Sequence, residues 1–286
     1  MPIVQTRPSP RNADLHCHSI FSDGTLTPTA LAQRAKAAGV DLWALTDHDA
    51  IDGQAEALAA ARGLGLTALT GVEISASFAG HTIHVVGLGF ALQHPALVNG
   101  LARIRNSRLP RAQEIARQLE QIGIEGAYEG ALRHAGNPEQ IARTHFARYL
   151  LERGICTSMA DVFRHYLTEG KPGYVPPQWA TLQESVQWIV QADGVAVIAH
   201  PARYGLSDML EYVLLDTFKS CGGQAIEVIT GSHTVAEYSI YADKAQQWGL
   251  AASCGSDFHS PQESLVDLGT LPPLPRGLKP VWELLV

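Results

Sequence analysis

The chain has 286 residues, of which 46% are hydrophobic and 17% charged, and its formal net charge at pH 7 is -7. This size suits one large α/β domain, or one domain that carries an insertion. The acidic balance argues against broad, sequence-independent nucleic-acid binding, which draws on many phosphate contacts from Lys and Arg. A phosphorylated ligand would need local positive partners, either a metal ion or a few placed cations.

The remaining composition indicates a reducing compartment. The four cysteines are scattered and contain no Cys-x-x-Cys spacing, unlike a disulfide framework. Residues 1–12 are a predicted N-terminal tail without a signal-peptide pattern. No segment approaches the ~20 apolar residues of a membrane span. We therefore expect a cytoplasmic protein that needs neither a membrane nor an obligate protein partner.

Strands and helices are predicted to alternate over residues 13–97, as in a parallel sheet or barrel with covered faces. In chain order the predicted elements are a strand over 13–18, a helix over 28–38, a strand over 41–46, a helix over 51–62, and strands over 66–74 and 81–90. About seven residues separate the last two strands, whereas a parallel crossover needs roughly a dozen. That pair is therefore predicted to be antiparallel, which would place Glu73 and His84 near the same end.

Residues 98–177 are predicted to form a helical insertion. Apolar residues recur with helical spacing over 98–121, and further amphipathic segments cover 140–153 and 159–167. No stretch in this region has the quality of a core strand. The exit over 170–177 is rich in Pro and Gly, which predicts a stiff connector.

The alternation of helices and strands then resumes to the end of the chain. The predicted elements are a helix over 182–192, a strand over 195–199, a helix over 209–220, a strand over 225–229, a helix over 235–248 and a strand over 250–253. With about seven strands in total, residues 13–97 and 178–286 fit either a parallel sheet or a closed α/β barrel. Residues that follow the strands should then lie together, because the carboxyl ends of barrel strands converge on one face.

His, Asp and Glu side chains, the types that bind metal ions, lie at the ends of most of these strands; we call them metal-type side chains. His16 and His18 share one face of the first strand, because side chains alternate along a strand. Strand histidines without a metal are the simpler alternative for that motif alone, but His and Asp are poor core residues unless paired. The candidate ligands are His16, His18, Asp23, His48, Glu73, His84, His200, Asp257 and His259.

This set of imidazoles and carboxylates exceeds the needs of one ion. It suits two or three divalent ions, and the absence of thiolates favours Zn²⁺, Mn²⁺ or Fe²⁺. Two metal ions held about 3.5–4 Å apart lower the pKa of a bound water and clamp both oxygens of a displacement at phosphorus. The sequence therefore predicts a hydrolase, most naturally one that acts on phosphate esters.

The same motifs resemble those of the PHP (polymerase and histidinol phosphatase) superfamily, in the right order and over nearly the whole chain. They are His16-x-His18, Asp23-Gly24, Thr46-Asp47-His48-Asp49, Gly71-Val72-Glu73, His200-Pro201 and Gly255-Ser256-Asp257-Phe258-His259. This resemblance implies an α/β fold of the distorted (β/α)₇ barrel type, with a trinuclear metal site built from the candidate positions. Asp47, Asp49 and Ser256 are expected to orient the metal-bound imidazoles.

Further segments resemble stand-alone bacterial PHP phosphoesterases. They are Arg143-Thr144-His145-Phe146-Ala147, Gly170-Lys171-Pro172-Gly173-Tyr174-Val175, His200-Pro201-Ala202-Arg203-Tyr204 and Gly231-Ser232-His233-Thr234. The resemblance implies a nucleoside 3′,5′-bisphosphate 3′-phosphatase that yields nucleoside 5′-monophosphates through attack by a metal-activated hydroxide. The implied cofactor is a divalent metal at two or three ions per chain, Mn²⁺ first and Zn²⁺ or Fe²⁺ as alternatives. The implied partners are a small phosphorylated nucleotide and short RNA.

Cations beside the insertion are candidates for binding a phosphate that is not cleaved. Arg143 and Lys171 border the insertion, and Arg203 follows a strand end; Arg offers phosphate a bidentate fork and Lys a point charge. The alternative is that these side chains are simply solvated. His145 shares a side with Arg143 only if that stretch is extended. His233 follows a strand end and is expected to protonate the leaving oxygen or to hold a phosphate.

Three alternative functions remain open at this point. A 5′–3′ exoribonuclease would use the same chemistry on short RNA, although the net charge of -7 argues against tracking along long RNA. A histidinol-phosphate phosphatase would use the same barrel, but the long helical insertion and its basic pair argue against it. A metal-binding regulatory module with a dead site would not need the full ligand set. The predicted catalytic residues are His16, His18, Asp23, His48, Glu73, His200, His233 and Asp257.

Overall fold

The computed structural model of the chain describes residues 10–285, so the predicted tail over 1–12 lies outside the described residues apart from 10–12. Within this range the strands are β1 (Ala13–Asp14), β2 (Leu42–Ala44), β3 (Thr67–Leu69), β4 (Gly71–Phe78), β5 (His81–Leu88), β6 (Ala180–Thr181), β7 (Val195–Ile198), β8 (Ala225–Thr230) and β9 (Ala251–Gly255). The α-helices are α1 (Pro28–Ala37), α2 (Gln54–Gly63), α3 (Pro95–Gln121), α4 (Ala127–His134), α5 (Arg143–Glu152), α6 (Met159–Val162), α7 (Leu182–Gln191), α8 (Asp208–Ser220) and α9 (Val235–Trp248).

The strands form two sheets. Strands β1, β2 and β3 are parallel and pair in that order, while the second sheet has the order β6-β4-β5-β7-β8-β9 and mixes parallel with antiparallel pairs. Strands β4 and β5 form an antiparallel hairpin whose turn residues, Ala79 and Gly80, have φ values of 47° and 83°. Positive φ at both positions is what a two-residue hairpin turn requires. The predicted antiparallel pair is confirmed.

Main-chain contacts join the two sheets at two places. Leu15 N–H donates to the Cys254 carbonyl at 3.0 Å, beside the edge strands β1 and β9. His48, just after β2, forms a parallel bridge with Glu73 on β4. The chain is therefore an α/β fold in which the ends of β1, β2, β4 and β9 lie side by side. Closure into a barrel stays a prediction.

The main core lies between the second sheet and the helices that pack on it. All residues of β7 and β8 are buried, as expected for strands covered on both faces. Helix α7 begins at a capping box formed by Thr181 and Glu184. A Cβ on Gly87 would lie 2.9 Å from Ile189 Cγ1, so glycine is what lets α7 pack this closely on β5.

Helices α3 to α6 form between β5 and β6 and share an apolar cluster of their own. Ile115, Leu119, Phe146 and Leu150 are among its buried residues. Helix α4 packs tightly on α5, because a Cβ on Gly130 would lie only 2.3 Å from the Tyr149 ring. The boundaries 98–177 for an inserted domain, like those of the flanking barrel segments 13–97 and 178–286, stay a prediction.

Three details of the elements were not predicted. The described residues contain nine strands rather than about seven, because the predicted strand over 66–74 is divided at Thr70 into β3 and β4 and because β6 is an additional strand. The two-residue strand β6 was also missed. So was α4, a helix of 8 residues that contains Gly130 in its interior. No helix within residues 10–285 combines the length and the apolar character needed to cross a bilayer.

Candidate metal centre

The histidines that follow β1 lie against the segment that follows β9. Asp257 N–H donates to the His16 carbonyl at 2.8 Å, and His18 N–H donates to the Phe258 carbonyl at 2.8 Å. A Cβ on Gly255 would lie 2.2 Å from His16 Cβ, so a glycine is needed for this approach. The backbone thus brings His16, His18 and Asp257 together from the two ends of the chain.

Glu73 on β4 is fully buried among five imidazoles. The nearest distances between its carboxylate oxygens and the ring nitrogens are 3.2 Å for His16, 3.3 Å for His18, 2.9 Å for His48, 2.8 Å for His84 and 3.0 Å for His200. Three of these rings face Oε2 and two face Oε1. A carboxylate in this position would be a ligand for divalent metal ions.

Asp23 is the centre of a second group. Its Oδ1 lies 3.3 Å from His259 Nε2, 3.8 Å from His48 Nε2 and 4.0 Å from His18 Nδ1. Its Oδ2 accepts a hydrogen bond of 2.9 Å from Thr144 Oγ1. The two oxygens of this carboxylate therefore have different surroundings.

Three overlapping groups could each hold a metal ion, since the ligand atoms within each group lie within 4.8 Å of one another. Any two groups share one residue, which makes the groups contiguous. They are His18, Asp23, His48 and His259; His16, His18, Glu73 and Asp257; and His48, Glu73 and His84. His200 lies outside these groups but contacts Glu73.

The donor atoms of this cluster fit a bound cation. Within the described part of the chain, the buried atoms without a hydrogen-bond partner include His16 Nε2, both ring nitrogens of His18, and Asp23 Oδ1. His16 Nε2 and His18 Nε2 lie 3.2 Å and 3.3 Å from Glu73 Oε2, but not in hydrogen-bond geometry. Buried polar atoms without partners are costly, and imidazole nitrogen with carboxylate oxygen suits divalent transition metals. The residues therefore fit a divalent metal.

The carboxylates and imidazoles of the cluster strongly shift one another's pKa values. Burial alone would raise the pKa of Glu73, but His84, His48 and His16 hold that pKa well below its usual range. Burial likewise opposes ionisation of His18, yet Asp257 and Glu73 raise its pKa to about 10. The carboxylates are thus stabilised as anions by neighbouring positive charge, which either protons or metal ions can supply.

Glu227 on β8 supports the cluster from behind. Its Oε1 lies 2.8 Å from His16 Nδ1, and its Oε2 accepts a hydrogen bond of 2.6 Å from His200 N–H. Both contacts are buried, and they leave His16 Nε2 facing Glu73. A carboxylate on the far nitrogen of an imidazole fixes the orientation of the ring and raises its basicity as a ligand.

A cavity of about 530 Å³ opens onto this cluster. Asp23, His48 and His84 line it together with four arginines, Arg108, Arg111, Arg143 and Arg203. The buried atoms Nε of Arg108 and Nη2 of Arg111 have no hydrogen-bond partner among the residues that the structure describes. Burial, then repulsion from Arg143 and Arg108, lowers the pKa of Arg111 to about 9. Positive groups gathered this closely favour a bound anion.

Trp179 packs against two of these arginines. The Arg108 and Arg111 guanidinium carbons lie 5.0 Å and 5.2 Å from the centre of its ring system. The indole N–H donates to Thr82 Oγ1 at 3.3 Å. Contacts of this type hold guanidinium groups over an aromatic face, so Trp179 is part of the cavity wall.

Comparison with known proteins identifies the family. A family model described as the PHP domain matches residues 14–192. The chain belongs to the PHP family. It is 50% identical over 95% of its length to a 3′,5′-nucleoside bisphosphate phosphatase of Chromobacterium violaceum, 95% of which is covered. It is 44% identical to the 5′-3′ exoribonuclease Rnm of Escherichia coli, with 95% of this chain and 92% of that protein covered.

A solved structure is similar to this chain over nearly its whole length. It is described as an amidohydrolase from Chromobacterium violaceum with bound SO4 and no metal, and it is 50% identical to this chain. The match has a TM-score of 0.93 and covers 96% of this chain and 95% of that one. The two chains therefore share the same fold.

The structure brings the nine predicted PHP ligands into one cluster, but it separates the predicted substrate residues. Arg143 and Arg203 line the cavity, whereas Lys171 is exposed and is not part of the cavity wall. The predicted pairing of Lys171 with Arg143 is therefore not supported. Arg108 and Arg111 occupy the wall instead.

His145 and His233 also differ from the prediction. His145 is fully buried in the first turn of α5, where its Nδ1 accepts from Ala142 N–H at 3.0 Å, and burial lowers its pKa to about 4. His233 is buried outside the cavity wall; its Nδ1 lies 3.2 Å from the Val228 carbonyl and its Nε2 accepts from Ala202 N–H at 3.2 Å. With both ring nitrogens engaged, His233 is not placed to act as the acid.

The residue that supports an imidazole ring is not one of the three expected from the sequence. Asp47 accepts hydrogen bonds from Ser19 and Ser22, and Asp49 accepts from Ser75 and is paired with Arg108. The Ser256 hydroxyl donates to the His16 carbonyl at 3.4 Å rather than to a ring. The His16 ring is instead supported by Glu227. The sequence contains a sign of this role, because Glu227 is the only charged residue in the apolar strand β8.

Proposed function

We propose that this PHP protein is a metal-dependent phosphatase that removes the 3′-phosphate of nucleoside 3′,5′-bisphosphates and yields nucleoside 5′-monophosphates. The observation that carries the proposal is the composition of one cavity. Metal-type residues and a wall of arginines line the same space of about 530 Å³. A bisphosphate needs both features, because one phosphate is cleaved while the other is held.

The metal part of the proposal rests on the three overlapping groups. We assign two or three divalent ions to them, with Mn²⁺ as the first choice and Zn²⁺ or Fe²⁺ as alternatives. The proposed ligands are His16, His18, Asp23, His48, Glu73, His84, His200, Asp257 and His259. Divalent ions bound there would activate water for attack at phosphorus and stabilise charge on the reacting phosphate.

The arginines supply the second anion site. Arg111 and Arg143 line the cavity and have no carboxylate partner among residues 10–285, so their guanidinium groups are available to the 5′-phosphate. Arg108 forms an ion pair with buried Asp49, which fixes the orientation of the guanidinium group. Nε of Arg108 has no hydrogen-bond partner among the described residues. Arg203 donates to Asp257 Oδ2 at 2.9 Å and lies beside the phosphate that is cleaved in this proposal.

The proposed architecture assigns the chemistry and the substrate choice to different segments. Residues 13–97 and 178–286 would form a closed, distorted (β/α)₇ barrel, supported by the contact of Leu15 with Cys254 and by the His48–Glu73 bridge. Residues 98–177 would be a helical insertion that supplies Arg108, Arg111 and Arg143.

A second candidate is a 5′–3′ exoribonuclease on short RNA. The relatives named Rnm favour it, since they match this chain over nearly its full length. The arginine wall would hold the 5′-phosphate of RNA as readily as that of a nucleotide. Histidinol phosphate has a single phosphate and would leave this wall unused.

The experiment is a product analysis with Mn²⁺ present, using adenosine 3′,5′-bisphosphate, adenosine 5′-monophosphate, histidinol phosphate and a short 5′-phosphorylated RNA. We expect release of inorganic phosphate and adenosine 5′-monophosphate from the bisphosphate. A His16→Ala variant should lose metal and nearly all activity, which controls for contaminating phosphatases. Equal cleavage of the 5′-monophosphate would refute the second anion site, and faster turnover of RNA would favour the exoribonuclease.

A further inference from the structure

Helix α5 reaches the metal centre through Thr144. The Thr144 hydroxyl donates to Asp23 Oδ2 at 2.9 Å. The other oxygen, Oδ1, is buried, has no hydrogen-bond partner within residues 10–285, and lies 3.3 Å from His259 Nε2. One oxygen of this carboxylate is therefore held by the helix, and the other is left facing the imidazoles.

Arg148, one turn further along α5, holds the same region. Its Nη2 donates to the Asp23 carbonyl at 2.7 Å, and its guanidinium makes two hydrogen bonds, of 2.8 Å and 2.7 Å, to Glu263. Glu263 belongs to the segment that follows His259 and lines the same cavity. Helix α5 thus connects the two segments that carry Asp23 and His259.

We propose that Thr144 is a positioning residue for metal binding, which orients Asp23 so that Oδ1 completes the group of His18, Asp23, His48 and His259. The inference rests on the proposed metal centre and extends it. The helical segment would then have two roles: Arg143 contacts the substrate, and the next residue, Thr144, holds a metal ligand. Metal occupancy of this group would then depend on the packing of α5 against the segment that carries Asp23.

The expected size of the effect follows from the chemistry of the contact. Without the hydroxyl, Asp23 Oδ2 stays buried with no donor, and the carboxylate is free to turn Oδ1 away from the imidazoles. Partners of metal ligands typically change metal affinity by about 10- to 100-fold when they are removed. Only the group that contains Asp23 should be affected.

The test compares Thr144→Val, which keeps the shape and removes the hydroxyl, with Thr144→Ser, which keeps the hydroxyl. Thr157→Val is the matched control, because exposed Thr157 also donates to a carboxylate, that of Asp161, at 3.1 Å. Bound Mn²⁺ per chain is measured by equilibrium dialysis over a range of free Mn²⁺, together with the electron paramagnetic resonance spectrum of the bound ions.

Thr144→Val is expected to bind one ion about 10- to 100-fold more weakly and to keep the others, whereas Thr144→Ser and Thr157→Val should match the wild type. Full wild-type affinity in Thr144→Val would overturn the inference, and so would an equal loss in Thr144→Ser. If the wild type binds no Mn²⁺, the metal centre itself is wrong, which separates that failure from this one. Thr144→Ala replaces the valine variant if the latter does not fold.

A double variant excludes a purely structural role. In an Asp23→Asn background, Thr144→Val should cause no further loss of metal affinity, because the group it positions is already impaired. Additive losses in the double variant would contradict the proposal.

Discussion

At the scale of residues, Glu227 shows how one carboxylate can organise two metal-type histidines. Its two oxygens contact His16 Nδ1 and the His200 amide, and the side chain is buried in β8. The register of β8 against β9 shifts between Glu227 and Ile229, so a bulge lies beside this side chain. Bulges of this kind are often found next to sites, where they redirect a side chain.

The Glu227→Gln substitution should weaken metal binding. An amide is less basic than a carboxylate, and its NH₂ group would face the His200 N–H or the His16 ring. We expect the affinity for Mn²⁺ to fall about 10- to 100-fold, as measured by competition with a fluorescent chelator. Glu211→Gln is the matched control, because Glu211 is also buried but is paired with Tyr241 and Lys244. Unchanged affinity in Glu227→Gln would mean that the ring of His16 needs no such support.

Sequence reasoning identified the metal-type residues because strand ends mark them. Side-chain alternation and the convergence of strand ends are local rules that can be read without coordinates. Arg108 and Arg111 were missed because arginines on a helix resemble solvated ones, and only packing against Trp179 reveals their burial. Lys171 is predicted to bind phosphate because it borders the insertion in the sequence, but it does not line the cavity.

At the scale of elements, α3 forms the basic wall of the cavity. Arg108 and Arg111 are three residues apart, a spacing that places them on one face of a helix. Arg117 lies on the same helix but is exposed and paired with Glu114. The helix therefore offers both a cavity arginine and an ordinary surface arginine for comparison.

Replacing Arg111 by Gln should raise KM for a nucleoside 3′,5′-bisphosphate by about 10- to 100-fold, since a charge-assisted hydrogen bond contributes roughly 1.5–3 kcal/mol. The effect on a nucleoside 3′-monophosphate should be smaller, because that substrate lacks the second phosphate. Steady-state kinetics on both substrates check this expectation.

The Arg117→Gln variant serves as the control and should keep the wild-type KM for both substrates. If Arg111→Gln impairs the two substrates equally, the arginine contributes to catalysis or folding rather than to recognition of the 5′-phosphate.

At the scale of the whole molecule, the cavity lies where the loops of the sheets meet the helices α3 and α5. The sheet residues supply the metal-type cluster, and the helices supply three of the four arginines in the wall. The antiparallel pair β4–β5 and helix α9 were predicted from spacing and periodicity. The two-residue strand β6 was not, because two residues show no periodicity and their pairing with β4 is decided by tertiary packing.

The central claim is that one cavity joins a metal centre to a second anion site. The most direct measurement is kcat/KM for a nucleoside 3′,5′-bisphosphate against the corresponding 3′-monophosphate, with Mn²⁺ and after chelation. We expect the bisphosphate to be preferred by at least about 100-fold and chelation to abolish turnover of both substrates. Equal kcat/KM values for the two substrates, or activity that survives removal of metal, would contradict it.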